Sequence, residues 1–434
     1  MTPVTVPGKR ILPPPLRLAF LVWGLGAALY LVGFFQRVAP AVITRELSAE
    51  FALTAASLGN LAAVYYYSYV AMQIPTGMVV DRWGPRRVIA IGAALAAAGT
   101  FLFAASQAYG LVALGRLLIG ASVGVAFVAM LKLSTHWFHP SRFAAVAGLA
   151  LAAGVIGAVS AGAPLRVAVD AFGWRPVVAA AGVCTALLAI AAWILVRDDP
   201  AERGYASYMP TLHASAPRHS MLGGMRRVLR SRNVWLIFFV NGGVSGPPLT
   251  FSGLWGVPFL TTHYGLSTAQ AGGVASLLLV AWASAGPFVG ILSDRVRRRK
   301  PIYLAGAIVA TLGWLTVFLV PGLPLGVLIG LLVVNGIAAS VVMVGFAYAK
   351  ESAPVSLAGS TSGVINMGNM LGGMIMQPAV GWMLDRYWDG SLVAGARVYS
   401  FEAYRAGFSL MLGWLAAAVL LAALTRETRC RQTP

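Results

Sequence analysis

The sequence predicts an all-α membrane protein with twelve transmembrane helices in two six-helix bundles. Three observations predict this fold class: few charged residues, long apolar runs and an internal repeat. Of the 434 residues, 59% are hydrophobic and only 10% are charged, whereas about 25% of a soluble domain is charged. Most of the outer surface must therefore face lipid, where backbone N–H and C=O groups have to bond to one another.

The apolar runs have the length of helical spans. A helix needs roughly 20 apolar residues to cross a bilayer, whereas the strands of a membrane barrel alternate over about ten residues. The runs predict spans one to six at 17–38, 56–80, 88–107, 109–133, 143–166 and 175–196. They predict spans seven to twelve at 233–260, 268–293, 301–320, 323–348, 357–384 and 403–424.

The basic residues are distributed unevenly between the two sets of loops. Of the 32 Lys and Arg residues, 24 lie on the side that carries both termini and the central segment, and seven lie on the other side. Cytoplasmic loops carry such an excess of positive charge. We therefore expect both termini in the cytoplasm and the protein in a bacterial inner membrane, in contact with its lipids. Because the basic clusters separate apolar runs, the net charge of +19 does not indicate nucleic acid as a partner.

One long polar stretch divides the chain. Residues 198–232 contain several Ser and Pro residues, and seven basic residues lie from Arg197 to Arg232. This composition is typical of a solvated linker. The sequence therefore predicts an N-terminal six-helix bundle at 1–197, a cytoplasmic central loop at 198–232 and a C-terminal six-helix bundle at 233–434.

The two predicted bundles repeat the same motif. Between spans two and three, the motif consists of Gly77, Asp81, Arg82, Gly84, Arg86 and Arg87. Its copy between spans eight and nine, 213 residues later, has Gly290, Asp294 and Arg295 in the corresponding positions. Two bundles repeated in parallel are typical of transporters that bind their substrate at the midplane between the repeats.

These residues resemble a known family. The stretch 77–87 resembles the cytoplasmic-loop signature of the major facilitator superfamily, and 290–300 resembles its degenerate second copy. Residues 114–120, with Arg116, are similar to the superfamily's fourth-helix motif, and 154–164 to its fifth-helix glycine–proline motif, although Ala163 replaces a usual glycine. The resemblance covers the whole chain and implies a transporter whose bundles rock around a central site.

Spans one and two are also similar to a narrower group. Residues 35–40, 58–60 and 65–69 resemble a proteobacterial group related to intraphagosomal amino-acid transporters and lysosomal dipeptide carriers. This resemblance implies an amino acid or a dipeptide as substrate.

The motif suggests a gate. Asp81 is expected at the cytoplasmic end of span two, where it can pair with Arg82, Arg86 or Arg87 and reach the other bundle. Such a charge cluster would lock the cytoplasmic side of the outward-open state and break when the bundles rock. The alternative is a solvated anchor that only determines topology.

Two arginines are candidates for substrate binding. Arg116 lies inside span four, where a charge near the bilayer centre costs roughly 2.5–3.5 kcal/mol, so it needs a partner, a substrate or a water-filled cavity. The family resemblance also allows a structural role, in which Arg116 bonds to the backbone of span one. Arg37, near the end of span one, either reaches the interface as a snorkelling side chain or joins Arg116 in a positive half-cavity.

Polar and aromatic residues complete the candidate site. Tyr65, Tyr69 and Gln73 share one face of span two, with Tyr66 as the alternative if the helix is rotated. Asn241 precedes Pro247-Pro248, where span seven must bend or break. Asn335 and Asn366 are polar residues within the otherwise apolar spans ten and eleven. All of these residues can equally serve helix packing or interhelical hydrogen bonds worth about 1 kcal/mol.

The positions of the acidic residues restrict the class of solute that the protein can carry. All 13 lie in loops, tails or span ends, so the buried carboxylate that commonly binds protons or cations is absent. A cavity with Arg and Tyr suits a small carboxylate-bearing solute such as an amino acid, a dipeptide or an organic anion. Either a proton or a counter-solute can be coupled to the transport. We expect a monomer without a cofactor.

Three other function classes are weighed against this one. The first is efflux of a drug-like or siderophore solute. The second is a membrane sensor or partner subunit that does not transport. The third is an enzyme, which the sequence disfavours because His136 and His139 lack the H-E-x-x-H zinc pattern and no phosphate-binding loop or catalytic triad stands out.

Overall fold

The fold is almost entirely helical. The computed structural model describes residues 12–208, 228–354 and 357–432, together with a short hairpin of strands β1 (Thr5–Val6) and β2 (Lys9–Arg10). The first half contains α1 (Leu16–Val38), α2 (Thr44–Glu50), α3 (Ala55–Ala105), α4 (Tyr109–Val123), α5 (Ala126–Trp137), α6 (Phe143–Ser160), α7 (Ala163–Phe172) and α8 (Trp174–Leu195). The second half contains α9 (Arg232–Thr250), α10 (Gly256–Tyr264), α11 (Thr268–Val296), α12 (Lys300–Leu319), α13 (Leu325–Ala339), α14 (Val342–Glu351), α15 (Ala358–Arg386) and α16 (Phe401–Ala423), with a hairpin of β3 (Leu392–Val393) and β4 (Ala396–Arg397) before α16.

The helices confirm the predicted membrane fold. Within the described ranges, ten helical segments are long and apolar enough to cross a membrane, and Ala55–Gln73, bent by 118° from α2, makes an eleventh. Helix α15 is 29 residues long, but polar side chains such as Asn366, Asn369 and Gln377 make it less apolar. With α15, the described helices correspond to the twelve predicted spans.

Spans two and three are two helices, as the sequence predicts, and we label them together as α3. The 51 residues of α3 leave helical geometry at Gly84, where φ is 78°. L-residues rarely adopt this conformation. A Cβ atom at Gly84 would also lie only 2.0 Å from a carboxylate oxygen of Asp198. The kink therefore explains why the motif has glycine at this position.

Span seven changes its helix type just after its two prolines. Pro247 and Pro248 lie inside α9, and because proline has no backbone N–H, they interrupt the helical hydrogen bonds. A π-helical segment, Phe251–Trp255, follows at once and joins α9 to α10. The span therefore continues through a local change of helix type rather than through a gap.

The two halves meet near one face of the molecule. We call the face with residue 12, residues 197–208 and the C-terminal tail the terminal face, and the other the opposite face. Near the opposite face, α3 and α15 approach so closely that a Cβ atom on Gly59 would lie 2.5 Å from the Gln377 carbonyl oxygen, and one on Gly381 2.3 Å from that of Ala55. Toward the terminal face, α5 packs on α1, α3 and α6, and α14 packs on α9, α11 and α15. Each of these helices thus packs mainly within its own half.

The predicted central loop is only partly described. Residues 200–203 form a short 3-10 helix after Asp199, and the backbone N–H of Ala206 donates to the carbonyl of Leu12. Residues 209–227 lie outside the described residues, so the domain boundaries at 197/198 and 232/233 stay predictions.

Candidate functional site

Arg37 is buried at the contact between the halves. Arg37 lies in the last turn of α1, near the end of its span as predicted, and a 3-10 helix, Ala39–Val42, follows. The residue is only 6% exposed, and its guanidinium lies 3.9 Å above the ring of Phe34. Its Nη1 donates to Met370 Sδ of the other half at 3.9 Å. Arg37 therefore points into the protein, which contradicts the snorkelling alternative.

Arg37 has no acidic partner among the described residues, which include all 13 Asp and Glu residues of the chain. Eight of these acids pair with Lys or Arg, and Asp199 contacts the ring of His136 at 2.9 Å. The remaining four, Asp198, Glu202, Asp389 and Glu427, accept hydrogen bonds from backbone N–H groups. The Nε atom of Arg37 is buried and has no hydrogen-bond partner. An uncompensated buried charge costs several kcal/mol, and an anion beside Arg37 would reduce that cost.

Three tyrosines of α3 pack together beside Arg37. The ring of Tyr65 lies edge-on to Tyr66 at 5.5 Å and stacked on Tyr69 at 6.0 Å. All three are buried, and they form one apolar cluster with Met370, the residue that Arg37 contacts. The structure thus brings both predicted faces of span two into the same cluster.

Gln73 and Asn366 join the halves closer to the terminal face. The Nδ2 atom of Asn366 donates to Gln73 Oε1 at 2.9 Å and to the hydroxyl of Tyr69 at 3.4 Å. Asn366 lies four residues, or about 6 Å of helix, before Met370. Both amides are partly exposed, whereas Arg37 is buried. The pair therefore lies on the terminal-face side of Arg37.

Other residues near this cluster were missed by the sequence analysis. Tyr30 and Phe34 pack together with ring centroids 4.7 Å apart and share a face of α1 with Arg37, at i, i+4 and i+7. That spacing is a signal that could have identified them. Trp282 of α11 packs against the tyrosine cluster, and its Nε1 is buried without a partner. No local sequence pattern distinguishes Trp282 from a lipid-facing tryptophan.

Arg116 is buried and bonds to backbone carbonyls of two other helices. It is 2% exposed, and its Nη1 and Nη2 donate to the carbonyls of Gln36 at 2.5 Å and Ala62 at 3.2 Å. The Gln36 carbonyl has no helical partner, because the residue four positions later, Pro40, lacks an N–H. Arg116 supplies that hydrogen bond. This geometry corresponds to the backbone-bonding role that the family resemblance implies and not to a half-cavity shared with Arg37.

Asn241 and Asn335 lie away from Arg37. Asn241 accepts a hydrogen bond from the hydroxyl of Tyr303 at 2.5 Å and donates to the carbonyl of Val342 at 3.4 Å. Asn335 packs against Gly313. Both asparagines are fully buried inside the second half, so the structure does not bring them together with the other candidates.

The gate candidates pair within their own halves. Asp81 forms its ion pair with Lys132 at 2.8 Å, not with Arg82, Arg86 or Arg87 as expected. Arg86 instead donates its backbone N–H to Asp198 at 2.6 Å and its Nε to the carbonyl of Trp193. Asp81 has a 78% exposed side chain, and Arg82 and Arg87 are exposed as well. A Cβ atom on Gly77 would meet no atom within 4 Å.

The second copy of the motif has a similar arrangement. Asp294 pairs with Arg299 at 2.6 Å, and Arg299 pairs with Glu351 at 2.7 Å, while Arg295 is exposed and a Cβ atom on Gly290 would meet open space. Glu427 of the C-terminal tail accepts from the backbone N–H groups of Arg299 and Lys300. Within the described part of the chain, no ion pair joins the two halves. The described residues also contain no group of three or more His, Cys, Asp or Glu that could hold a metal ion.

The chain matches a family of known proteins over almost its entire length. The family model described as Major Facilitator Superfamily matches residues 18–256 and 249–432. The chain is 27% identical to the uncharacterized transporter YybO of Bacillus subtilis over 414 residues, which are 89% of this chain and 90% of that protein. It is 23% identical to the probable sulfoacetate transporter SauU of Cupriavidus necator over 287 residues, which are 64% of this chain and 66% of that protein.

A solved structure has the same fold. This is the crystal structure of a bacterial homolog of the human lysosomal transporter Spinster, in an inward-facing and unoccupied conformation. The TM-score is 0.79, and the match covers 97% of this chain and 100% of that chain at 18% sequence identity. The similarity extends over both halves of the chain.

Proposed function

Because this chain belongs to the major facilitator superfamily, a family of membrane transporters, we propose that it carries a small carboxylate-bearing solute by alternating access. The transport is secondary active or facilitative, and the solute is an amino acid, a dipeptide or an organic anion. Arg37 binds the carboxylate between the two halves. Tyr65, Tyr66 and Tyr69 form the wall of the site.

The observation that carries this proposal is the unpaired charge of Arg37. A guanidinium presents its N–H donors in a fork that matches a carboxylate, and Arg37 is buried with an unused Nε donor. The relative named as a probable sulfoacetate transporter supports an anionic solute. The similarity of spans one and two to amino-acid and dipeptide carriers supports a carboxylate in particular.

Orientation follows from the charges of the loops. The excess of basic residues at the terminal face supports a cytoplasmic position for that face and for both termini, with the protein in a bacterial inner membrane. The solute would then reach Arg37 from the cytoplasm, past Gln73 and Asn366. Motif residues such as Asp81 and Asp294 would exchange their pairs within each half for contacts across the halves when the cytoplasmic side closes.

The units that move are the two predicted bundles, 1–197 and 233–434. They rock as rigid bodies around Arg37, while the loop 198–232 connects them. A single chain contains both bundles, so a monomer is sufficient for transport. A proton or a counter-solute can couple to the cycle.

Substrate counterflow in proteoliposomes tests the proposal. A panel of amino acids, dipeptides and organic acids should identify a transported carboxylate. Arg37→Gln should then reduce its transport by about tenfold to a hundredfold, because a hydrogen bond to a charged group contributes about 1.5–3 kcal/mol. Arg405→Gln, which removes an exposed arginine paired with Glu402, is the matched control and should transport normally.

Two results would contradict the proposal. Strong transport of a permanently cationic compound that persists in Arg37→Gln would support the efflux alternative. Binding of a ligand without any flux would support the sensor alternative. Arg116→Gln belongs in the same series, and we expect it to lower the amount of folded protein rather than to change substrate preference.

A further inference from the structure

We infer that the solute is a carboxylate that has neutral oxygen groups and no ammonium group, and that Gln73 and Trp282 bind those oxygens. This inference rests on the proposed role of Arg37. It follows from the charges and hydrogen-bonding groups around the site, taken in three steps.

The first step concerns charge. An ammonium group binds best next to a carboxylate, and every acidic residue of the chain pairs elsewhere, with another cation or with backbone N–H groups. Asp81 and Asp294, with exposed side chains, lie in the motif loops at the terminal face, and Asp385 lies at the opposite face. In the site, an ammonium would meet only the like charge of Arg37, which disfavours it in a low-dielectric environment.

The second step concerns hydrogen-bond donors. Two further buried nitrogen atoms without a partner belong to residues that contact Asn366 or the tyrosine cluster, Gln73 Nε2 and Trp282 Nε1. A buried donor that lacks an acceptor costs about 1–3 kcal/mol. A hydroxyl or carbonyl oxygen of the solute can satisfy such a donor, whereas an ammonium group, which is itself only a donor, cannot.

The third step concerns distance. Arg37 contacts Met370, and Gln73 contacts Asn366 one helical turn away, about 6 Å along α15. This spacing is compatible with a small acid that binds Arg37 with its carboxylate and Gln73 with a hydroxyl or keto group. It supports small hydroxy or keto acids as the solutes.

Matched pairs of solutes test this inference in counterflow. Lactate and alanine differ only by a hydroxyl in place of an ammonium group, and so do glycerate and serine. We expect the hydroxy acid of each pair to be transported at least about tenfold better. Gln73→Leu should lower the ratio of glycerate transport to propionate transport about threefold to tenfold, as expected for one hydrogen bond lost only to glycerate. Gln107→Leu, in an exposed loop, is the control.

The outcomes separate this inference from the proposed function. If alanine and serine are transported as well as their partners, and Arg37→Gln abolishes that transport, the inference is wrong and the carboxylate carrier stands. If no carboxylate is transported, and Arg37→Gln transports another solute as well as the wild type does, both this inference and the proposed function are wrong. If Gln73→Leu affects propionate and glycerate equally, Gln73 does not bind the neutral group.

A separate observation carries a second inference, at the opposite face. The carboxylate of Asp385, in the last turn of α15, accepts hydrogen bonds from the backbone N–H groups of Ala55 at 2.9 Å and Ala56 at 2.8 Å. These are the first residues of α3, in the other half. Arg397 and the hydroxyl of Tyr399 also bond to Asp385 and orient it.

We propose that this Asp385 link holds the opposite face closed. The N–H groups at a helix N-terminus and the helix dipole together favour a carboxylate, so the link stabilises the closed contact between α3 and α15. The bonds must break for the halves to separate at this face. They can then be replaced by water, so the link is reversible.

Spin-label distances test the Asp385 link. Labels at Phe172→Cys and Leu392→Cys, two exposed positions at the opposite face of different halves, report its opening when Cys184 and Cys430 are replaced by Ser. Asp385→Ala should move the distance distribution toward longer values. Asp389→Asn is the control, because this nearby acid bonds within its own loop. An unchanged distribution in Asp385→Ala would overturn the inference, and a shift of equal size in Asp389→Asn would do the same.

Discussion

At the residue scale, two buried arginines of the same half do different work. The terminal nitrogens of Arg116 donate to the carbonyls of Gln36 and Ala62. Among the described residues, Arg37 instead donates to the thioether of Met370 and lies over the ring of Phe34. A carbonyl attracts a cation less strongly than a carboxylate does, so both sites are electrostatically incomplete. Only Arg37, however, lies where the two halves meet. This difference is the basis for assigning substrate binding to Arg37 and a structural role to Arg116.

The role of Arg116 leads to a stability prediction. Arg116→Gln should lower the free energy of unfolding in detergent by about 2–3 kcal/mol, because it leaves buried carbonyl oxygens without donors. Pro40→Ala should recover part of this loss, since an alanine N–H can bond to the Gln36 carbonyl. Thermal unfolding of both single variants and the double variant measures the effect. If Pro40→Ala changes the free energy of unfolding by the same amount in the wild type and in Arg116→Gln, the two residues do not act on the same carbonyl.

At the element scale, the ends of the helices are capped by side chains from distant parts of the chain. Asp198, after α8, binds the backbone N–H of Arg86 just beyond the Gly84 kink. Glu427, after α16, binds those of Arg299 and Lys300 at the start of α12. The two caps occupy equivalent positions in the two halves. They fasten the segments after the last span of each half to the motif loops.

The cap at Glu427 leads to a pH prediction. Burial alone would raise the pKa of the Glu427 carboxyl, but the backbone N–H groups of Arg429, Arg299 and Lys300 outweigh it and hold this pKa below its usual range. A carboxyl whose pKa is lowered in the folded state stabilises the fold above its unfolded pKa of about 4.3. This stabilisation is lost as the pH falls through the lowered pKa.

Glu427→Gln should therefore lower the free energy of unfolding by about 1 kcal/mol at pH 7, the usual contribution of a helix cap. The difference from the wild type should shrink at pH values below about 4. Thermal unfolding at several pH values measures it, with Glu402→Gln, at an exposed ion pair, as the control. A difference that stays constant down to pH 3 would show that the charge of Glu427 does not stabilise the cap.

At the scale of the whole molecule, the contacts between the halves are concentrated at one end. The Asp385 link and the glycines of α3 and α15 hold the opposite face closed, and the motif charges at the terminal face pair within their own halves. Arg37 lies between these two regions. An anion bound there would neutralise the charge that both halves surround, so binding favours closer approach of the halves around it.

The sequence by itself determined the membrane fold, the number of spans and the absence of a mid-span acid, because a hydrophobic span and a missing carboxylate are local properties of the chain. It also placed Tyr69, Gln73 and Asn366 among the candidates. The tertiary structure decided which polar residues lie together. Asn241 and Asn335 have the same local signal as Asn366, but the packing of the second half directs them into its core.

The sequence also could not predict which groups the charged residues pair with. Asp81 binds Lys132, 51 residues away, rather than the arginines beside it. Arg116 bonds to Gln36 because Pro40 leaves a carbonyl free 80 residues earlier. Hydrogen bonds and ion pairs depend on distances between helices, which only packing defines. The sequence therefore supplied the charges. The packing decided that Arg116 bonds to backbone carbonyls, whereas Arg37, buried where the halves meet, has neither a carbonyl nor an acidic partner among the described residues.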